Sequence, residues 1–260
     1  MIANFFSFKD AFESNAPYMF GAGHITFIIL SLILVPILAR LSKRLSEEAF
    51  KKILIVIFVA TLLLEIFKIY FESSLRFEAG LGFEWGGILP LYICSMFIYM
   101  LPFAIWAKNS HIKRAAVAFL ATFGIIGGVA NSIHPNILNE YPVWSFAGLH
   151  SLVFHFVMIT VGVSLWVRQY YKAGLKDILL GYAALLVFAI PIAALDYIFM
   201  WDYMYLLNGG QTPINDIYKS LTPFVPAVLW PVVMLGFYFL LSVIIFYLPI
   251  KIFRGRKKSF

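Results

Sequence analysis

The residues of this chain that could do chemistry are few: one cysteine and a small set of histidines and acids set among apolar neighbours. Cys94 is the single cysteine, so an intramolecular disulfide and a Cys-rich metal site are both excluded. A thiol becomes a useful nucleophile when a base or a cation lowers its pKa. His150 is the candidate base, able to take the thiol proton and return it to a leaving group, with Glu65, His24 or Asp196 to orient it. Pro90 lies four residues before Cys94, which places Cys94 in the first turns of a predicted helix, where the N-terminal dipole favours thiolate. His150 and His155 are separated by five residues, a rotation of about 140° on a helix. They do not share a face, and the i, i+4 pair of an HExxH zinc helix is absent. His150 is assigned to a cavity, and the deeper His155 joins the binding candidates.

Each of these residues also has a purely structural reading. Glu65 and Lys68 are spaced i, i+3, which suits a local ion pair. His24 can serve as a satisfied polar residue at a helix start. Asp196 and Asp202 can cap a helix end or pair with Lys68, and Cys94 can be a small packing residue. Other catalytic signatures are missing: there is no G-x-S-x-G elbow, P-loop, dinucleotide fingerprint or zinc-ligand cluster. The last apolar stretch has no lysine for a retinal Schiff base. No cofactor and no metal is expected.

The elements that must position these residues are membrane helices. The chain has 260 residues, 62% hydrophobic and 13% charged, with mean hydropathy +0.88. Soluble domains are about half apolar and a quarter charged. The net charge of +7 sits in basic residues flanking apolar runs, which reads as orientation against anionic lipid and not as nucleic-acid binding. The first residues, with Asn4, Phe5, Lys9, Asp10 and Glu13, do not form a secretory signal. A crossing needs about 20 apolar residues. The pattern predicts one all-α domain over 1–260, a seven-transmembrane-helix bundle with spans near 20–39, 52–71, 87–106, 115–132, 146–167, 177–200 and 223–249. Gly124 and Gly128 mark the fourth span as closely packed.

Lysine and arginine then set the sidedness. Arg40, Lys43, Arg44, Lys51 and Lys52 share one side with Lys108, Lys113 and Arg114, with Arg168, Lys172 and Lys176, and with Lys251, Arg254, Arg256, Lys257 and Lys258. Only Lys9, Lys68, Arg76 and Lys219 of the 20 basic residues remain for the other side. The bias predicts an N-terminus outside and a cytoplasmic C-terminus in the plasma (cytoplasmic) membrane. His24, Glu65, Lys68, Cys94, His150, His155 and Asp196 then all fall in the outer halves of their helices. Intramembrane ionisable groups face the bundle interior or a wet cavity, so a polar cavity opening outward is expected. The outer connections 72–84, 132–145 and 201–222 are the longer ones, and long connections carry function.

Three stretches carry a family resemblance. Leu89-Pro90-Leu91-Tyr92-Ile93-Cys94 resembles the L-P-L-H-L-C opening of the YwaF-like family of bacterial multi-spanning membrane proteins. Pro135, Tyr141-Pro142 and Gly148-Leu149-His150-Ser151-Leu152 resemble its P…F-P…H-G-L segment. Asp202-Tyr203-Met204-Tyr205-Leu206 resembles its N-Y-M-Y-L motif, and Pro213 with Thr222-Pro223-Phe224-Val225-Pro226 resembles the loop before its last span. The sequence departs from the pattern at Tyr92, where the family has His, and at Asp202, where it has Asn. The family is distantly similar to a eukaryotic acyltransferase that remodels ether phospholipids through Cys and His. In that enzyme the Cys directly follows the proline; here Leu91 does, and Cys94 comes three residues later, while His150 matches the expected His.

The resemblance implies a lipid-active enzyme. Cys94 would be the nucleophile and His150 the general base and acid. His24, Glu65, Lys68, Tyr92, His155, Asp196 and Asp202 would line the site, and Tyr203 or Tyr205 would border the headgroup. Membrane lipids are the expected partners, with a small-molecule or lipid ligand in the cavity. The alternatives are a protein that binds or transports a small solute in the same cavity, and an accessory subunit of a membrane complex.

Overall fold

The computed structural model describes residues 5–7, 9, 12, 18–82, 85–172, 174–210 and 212–251. Asn4, Asp10, Glu13, Glu84, Arg254, Arg256, Lys257 and Lys258, used above, lie outside the described residues. Among those described, the protein is all-helical. Six stretches are long and apolar enough to cross a membrane: Ala22–Ser42, Glu47–Glu78, Ser110–Asn139, Phe146–Val167, Leu175–Phe199 and Ala227–Lys251.

The seventh stretch differs from expectation. The span expected over 87–106 is helical only over Met96–Trp106, 11 residues, about 16 Å of helix at 1.5 Å per residue. Residues 86–95 form turns instead. Gly86, Gly87 at φ 91° and Pro90 explain the break. Cys94 therefore sits just before the helix, whose N-cap is Ser95, not in its first turns. The fourth span is also interrupted. Thr122, at φ −122° and ψ −78°, separates two helices.

The chain clusters into two compact units. The first comprises 1–83 and 124–170, the second 84–123 and 171–260. In the first unit, α1 (Ala22–Ser42) and α2 (Glu47–Glu78) pack on α6 (Phe146–Val167), joined by α5 (Phe123–Ile133). Ser46 caps α2 by accepting from the Ala49 amide at 3.2 Å, with Glu47 and Glu48 in the first turn and Arg76 in the last, a placement that suits the helix dipole. A Cβ on Gly128 would lie 2.6 Å from Ile159 Cγ1 and 3.2 Å from the His155 carbonyl, so α5 approaches α6 as closely as a glycine allows.

One arginine ties the ends of this unit together. The Arg168 guanidinium donates to the carbonyls of Ser42 and Leu45 and to Glu47, and stacks 4.3 Å over Phe50. Its side chain is 5% exposed. Ser42 ends α1 and Leu45 precedes the cap of α2, so the guanidinium holds the turn between the two helices.

In the second unit, α3 (Met96–Trp106) packs on α4 (Ser110–Ala121), and α4 packs along α7 (Leu175–Phe199), which also meets α9 (Trp230–Ser242). Asn109 caps α4 through its Oδ1, which accepts from His111 and Ile112. Arg114 of α4 pairs with the buried Asp177 of α7. At Gly181 an added Cβ would lie 3.1 Å from the backbone of Ala118 and Phe119; α7 lies directly on the α4 main chain there. A short helix, α8 (Pro213–Leu221), precedes α9.

Gly181→Val forces its Cβ against the α4 backbone, which no rotamer relieves. It is expected to destabilise the protein by about 1–3 kcal/mol. Gly236→Ala places its methyl in open space, and is expected to be neutral or to stabilise by about 0.5–1 kcal/mol. Thermal unfolding of the detergent-solubilised variants checks both.

Candidate active site

The candidate residues divide between the two units. His24, Glu65, Lys68, His150 and His155 belong to the first; Tyr92, Cys94, Asp196, Asp202, Tyr203 and Tyr205 belong to the second.

The first group centres on an ion pair inside α2. Lys68 Nζ lies 2.5 Å from Glu65 Oε1, with side-chain exposures of 18% and 6%. Two charges this far from water are tolerable only as a pair. The other carboxylate oxygen, Glu65 Oε2, lies 3.9 Å from His150 Nε2 on α6, and the His150 side chain is 8% exposed. That nitrogen is buried and has no hydrogen-bond partner at this separation, so the pair is one small movement from a carboxylate–imidazole hydrogen bond. Aromatic rings hold the imidazole in place: Phe154 stacks at 6.1 Å and Phe146 lies at 5.7 Å. The arrangement is chemically that of a base and its orienting acid.

His155 faces differently. Its Nδ1 lies 2.6 Å from the Ser151 carbonyl and 3.0 Å from Asn131 Nδ2 of α5. An Nδ1–H donated to the carbonyl leaves Nε2 as a buried acceptor, and Nε2 has no hydrogen-bond partner. His24 is fully buried and satisfied on both sides: Nδ1 accepts from the Phe20 amide at 3.0 Å and Nε2 donates to the Ser132 carbonyl at 2.9 Å. Those partners fix the Nε2–H tautomer, and His24 serves as a brace between the start of α1 and the end of α5.

The second group is built on a turn. α7 ends at Met200 in the left-handed region, and Met204 and Tyr205 follow at φ 54° and 58°. Non-glycine residues enter that region at a cost of roughly 1–2 kcal/mol each, so the surroundings must impose it. Asp196 Oδ1 accepts from the Tyr203 amide at 3.1 Å, and Asp202 Oδ1 from those of Leu207 and Asn208. The Met204 carbonyl accepts from Tyr238 and the Tyr205 carbonyl from Trp230, both on α9. Tyr203, 1% exposed, donates its hydroxyl to the Trp85 carbonyl and accepts from the Gly87 amide, and Tyr92 packs edge-on at 4.8 Å. Tyr203 thus joins the turn to the segment that carries Cys94.

Cys94 is half-buried. Burial pushes the Tyr205 phenol up to about 12, with the nearby Cys94 thiol and Asp202 carboxylate adding to the rise. Burial also raises the Asp202 carboxyl against the amides of 207–210, which lower it. Neutral Tyr205 is therefore a hydrogen-bond donor in the neighbourhood of the thiol. Asp196 Oδ2 is buried without a hydrogen-bond partner.

Sequence reasoning passed over Asn131 and Ser151, which meet His155, and Tyr238, which anchors the turn. It also passed over Glu72 and Arg76, though Glu65, Lys68, Glu72 and Arg76 step by three, four and four residues along one face of α2. Among the described residues no group of three or more His, Cys, Asp and Glu could hold a metal ion.

The model of the TMEM164 family matches residues 19–248. No match was found among curated proteins or among solved structures.

Removing one member of the α2 pair strands the other. Lys68→Met is expected to cost about 3–5 kcal/mol, while Glu65→Leu/Lys68→Met recovers much of that loss. A double-mutant cycle read by thermal unfolding checks it; equal losses in the single and double variants would contradict the pairing.

Proposed function

We propose that this chain, which belongs to the TMEM164 family, is a membrane-embedded lipid-active enzyme that moves acyl groups through Cys94 and His150. The observation that carries the reading is the approach of Glu65 Oε2 to the His150 imidazole, with Lys68 paired to the other carboxylate oxygen. His24 has both ring nitrogens satisfied; His150 Nε2, like His155 Nε2, has no hydrogen-bond partner, and it lies 3.9 Å from a carboxylate oxygen. The resemblance to YwaF-like proteins, and through them to a Cys/His ether-phospholipid acyltransferase, supplies the substrate class.

In this reading the Cys94 thiol gives its proton to His150, and Sγ attacks the carbonyl carbon of a phospholipid ester. The ester C–O bond breaks, and the leaving alkoxide takes the proton from the imidazolium. The acyl group remains as a thioester on Sγ. An acceptor hydroxyl, from a lysolipid or water, then attacks; His150 takes its proton, the C–S bond breaks, and the thiol is restored. Glu65 orients the imidazole and stabilises its cationic form. Tyr205 donates a hydrogen bond near Cys94 and, with Tyr92, borders the headgroup, while the buried Tyr203 braces the turn.

The topology that goes with this function has seven crossings, with residues 87–106 providing the third. The N-terminus is outside and the C-terminus cytoplasmic, in the plasma membrane. The basic bias of the loops supports it.

Purified protein in proteoliposomes, given a phospholipid ester donor and a lysophospholipid acceptor, is expected to transfer or hydrolyse the acyl chain. His150→Ala is expected to slow this about 10²–10⁴-fold. Cys94→Ala is expected to abolish a hydroxylamine-sensitive acyl adduct seen by intact mass. Full activity in Cys94→Ala would refute the thiol role. Tolerance of Cys94→Ser together with loss of ligand-dependent thermal stabilisation in Glu65→Gln would favour the solute-binding reading instead.

A further inference from the structure

Helix α8 divides into two faces. Ile214, Ile217, Tyr218 and Leu221 are spaced three, one and three residues apart and fall on one side, while Asn215, Asp216, Lys219 and Ser220 occupy the other. Thr212 caps it by accepting from the Ile214 amide, and Pro213 opens its first turn. The apolar side is only partly used by the protein. Tyr218 packs edge-on against Trp230 at 5.1 Å, whereas Ile217 is 54% exposed. The exposed apolar surface continues past the helix through Phe224 at 83% and Val228 at 66%. Contiguous exposure of this kind marks a contact surface.

We propose that α8 and Phe224 lie in the lipid interface, with the Ile217 side and the Phe224 ring inserted among the lipids at the headgroup–acyl boundary and Asp216 and Lys219 turned to water. Continuity with the membrane span that follows identifies the occupant. The apolar stretch Ala227–Lys251 begins six residues after Leu221, at most about 20 Å of extended chain. Trp230, at the entry of that stretch, is in ring contact with Tyr218, so the apolar face meets the bundle where the chain enters the bilayer. A tyrosine–tryptophan contact at that level suits the interface, where amphipathic rings concentrate. The two charges of opposite sign on the far face suit a helix lying flat at the membrane surface.

The helix is also fixed to the strained turn. Asn215 Nδ2 donates to the Asn208 carbonyl, Thr212 donates to that of Gly209, and Trp230 donates to that of Tyr205. Lipid that seats α8 thus bears on the turn that carries Tyr205. The proposal stands apart from the acyl-transfer reading, since an interfacial helix could serve a binder equally well.

Bimane on Ile217Cys, and separately on Asp216Cys, each in a Cys94→Ala background reconstituted in vesicles, tests it. The Ile217 label is expected to emit further to the blue, to be quenched by shallow doxyl-labelled phospholipid, and to be several-fold less accessible to iodide than the Asp216 label. Iodide quenching equal at both positions would overturn the proposal. So would protection of the Ile217 label from both quenchers with concentration-dependent dimers, which would assign the face to a second copy of the chain. The unmodified protein provides the second measurement. In nanodiscs containing a phospholipid with a headgroup-proximal diazirine, photo-adducts are expected on the peptide spanning 213–229; adducts confined to other spans would overturn it.

Discussion

A charge buried among apolar helices must bring its own partner, and that requirement organises much of this molecule. Glu65 and Lys68 meet it within one turn of α2, Arg114 and Asp177 meet it between α4 and α7, and Arg168 meets it with two carbonyls and Glu47. An unpaired charge in such a place costs several kcal/mol, and lipid offers nothing to replace the lost water. The pairs therefore fix helix registers. Arg114 sets where α4 lies along α7, and Arg168 sets how the loop after α1 folds over the end of α6.

The same constraint separates pairs confined to two partners from the one that reaches a third group. The terminal nitrogens of Arg168 donate to two carbonyls and one carboxylate at an element boundary, with the guanidinium over Phe50. Glu65 has one oxygen on Lys68 and the other directed at His150 across to another helix. Glu65 thus links Lys68 within α2 to His150 on α6. His24 marks the contrast within the same unit, because both of its nitrogens are used.

Charge and hydropathy made most of the helices legible. Long apolar stretches bounded by basic clusters gave six of them near their observed places, and the i, i+3 spacing announced the Glu65–Lys68 pair. Cys94 was misplaced because residues 85–106 are uniformly apolar, so hydropathy alone reads them as one helix. The information lay in backbone chemistry instead: Gly86, Gly87 and Pro90 keep the helix from starting before Met96. The break at Thr122 had no comparable signal, since threonine neither removes a backbone donor nor favours the conformation found there. The turn after α7 was illegible for a related reason. Met200, Met204 and Tyr205 adopt a left-handed conformation without being glycine or asparagine, and only tertiary contacts can require it.

Those contacts show how the turn endures. Strain of roughly 1–2 kcal/mol at each of three residues would unravel an exposed loop. Here the carbonyls of Met204 and Tyr205 are held by Tyr238 and Trp230, the Tyr203 amide by Asp196, and the amides of Leu207 and Asn208 by Asp202. Releasing the turn would free several buried polar groups at once, each at about 1–3 kcal/mol, which exceeds the strain. The anchors come from the end of α7, from the turn itself and from α9, so the position of Tyr205 is determined by the whole unit rather than by its own sequence. Backbone strain held this firmly needs a reason in what the turn presents. What it presents is a phenol that feels the electrostatic influence of the Cys94 thiol, on a segment braced by α8 and the entry to the last apolar stretch.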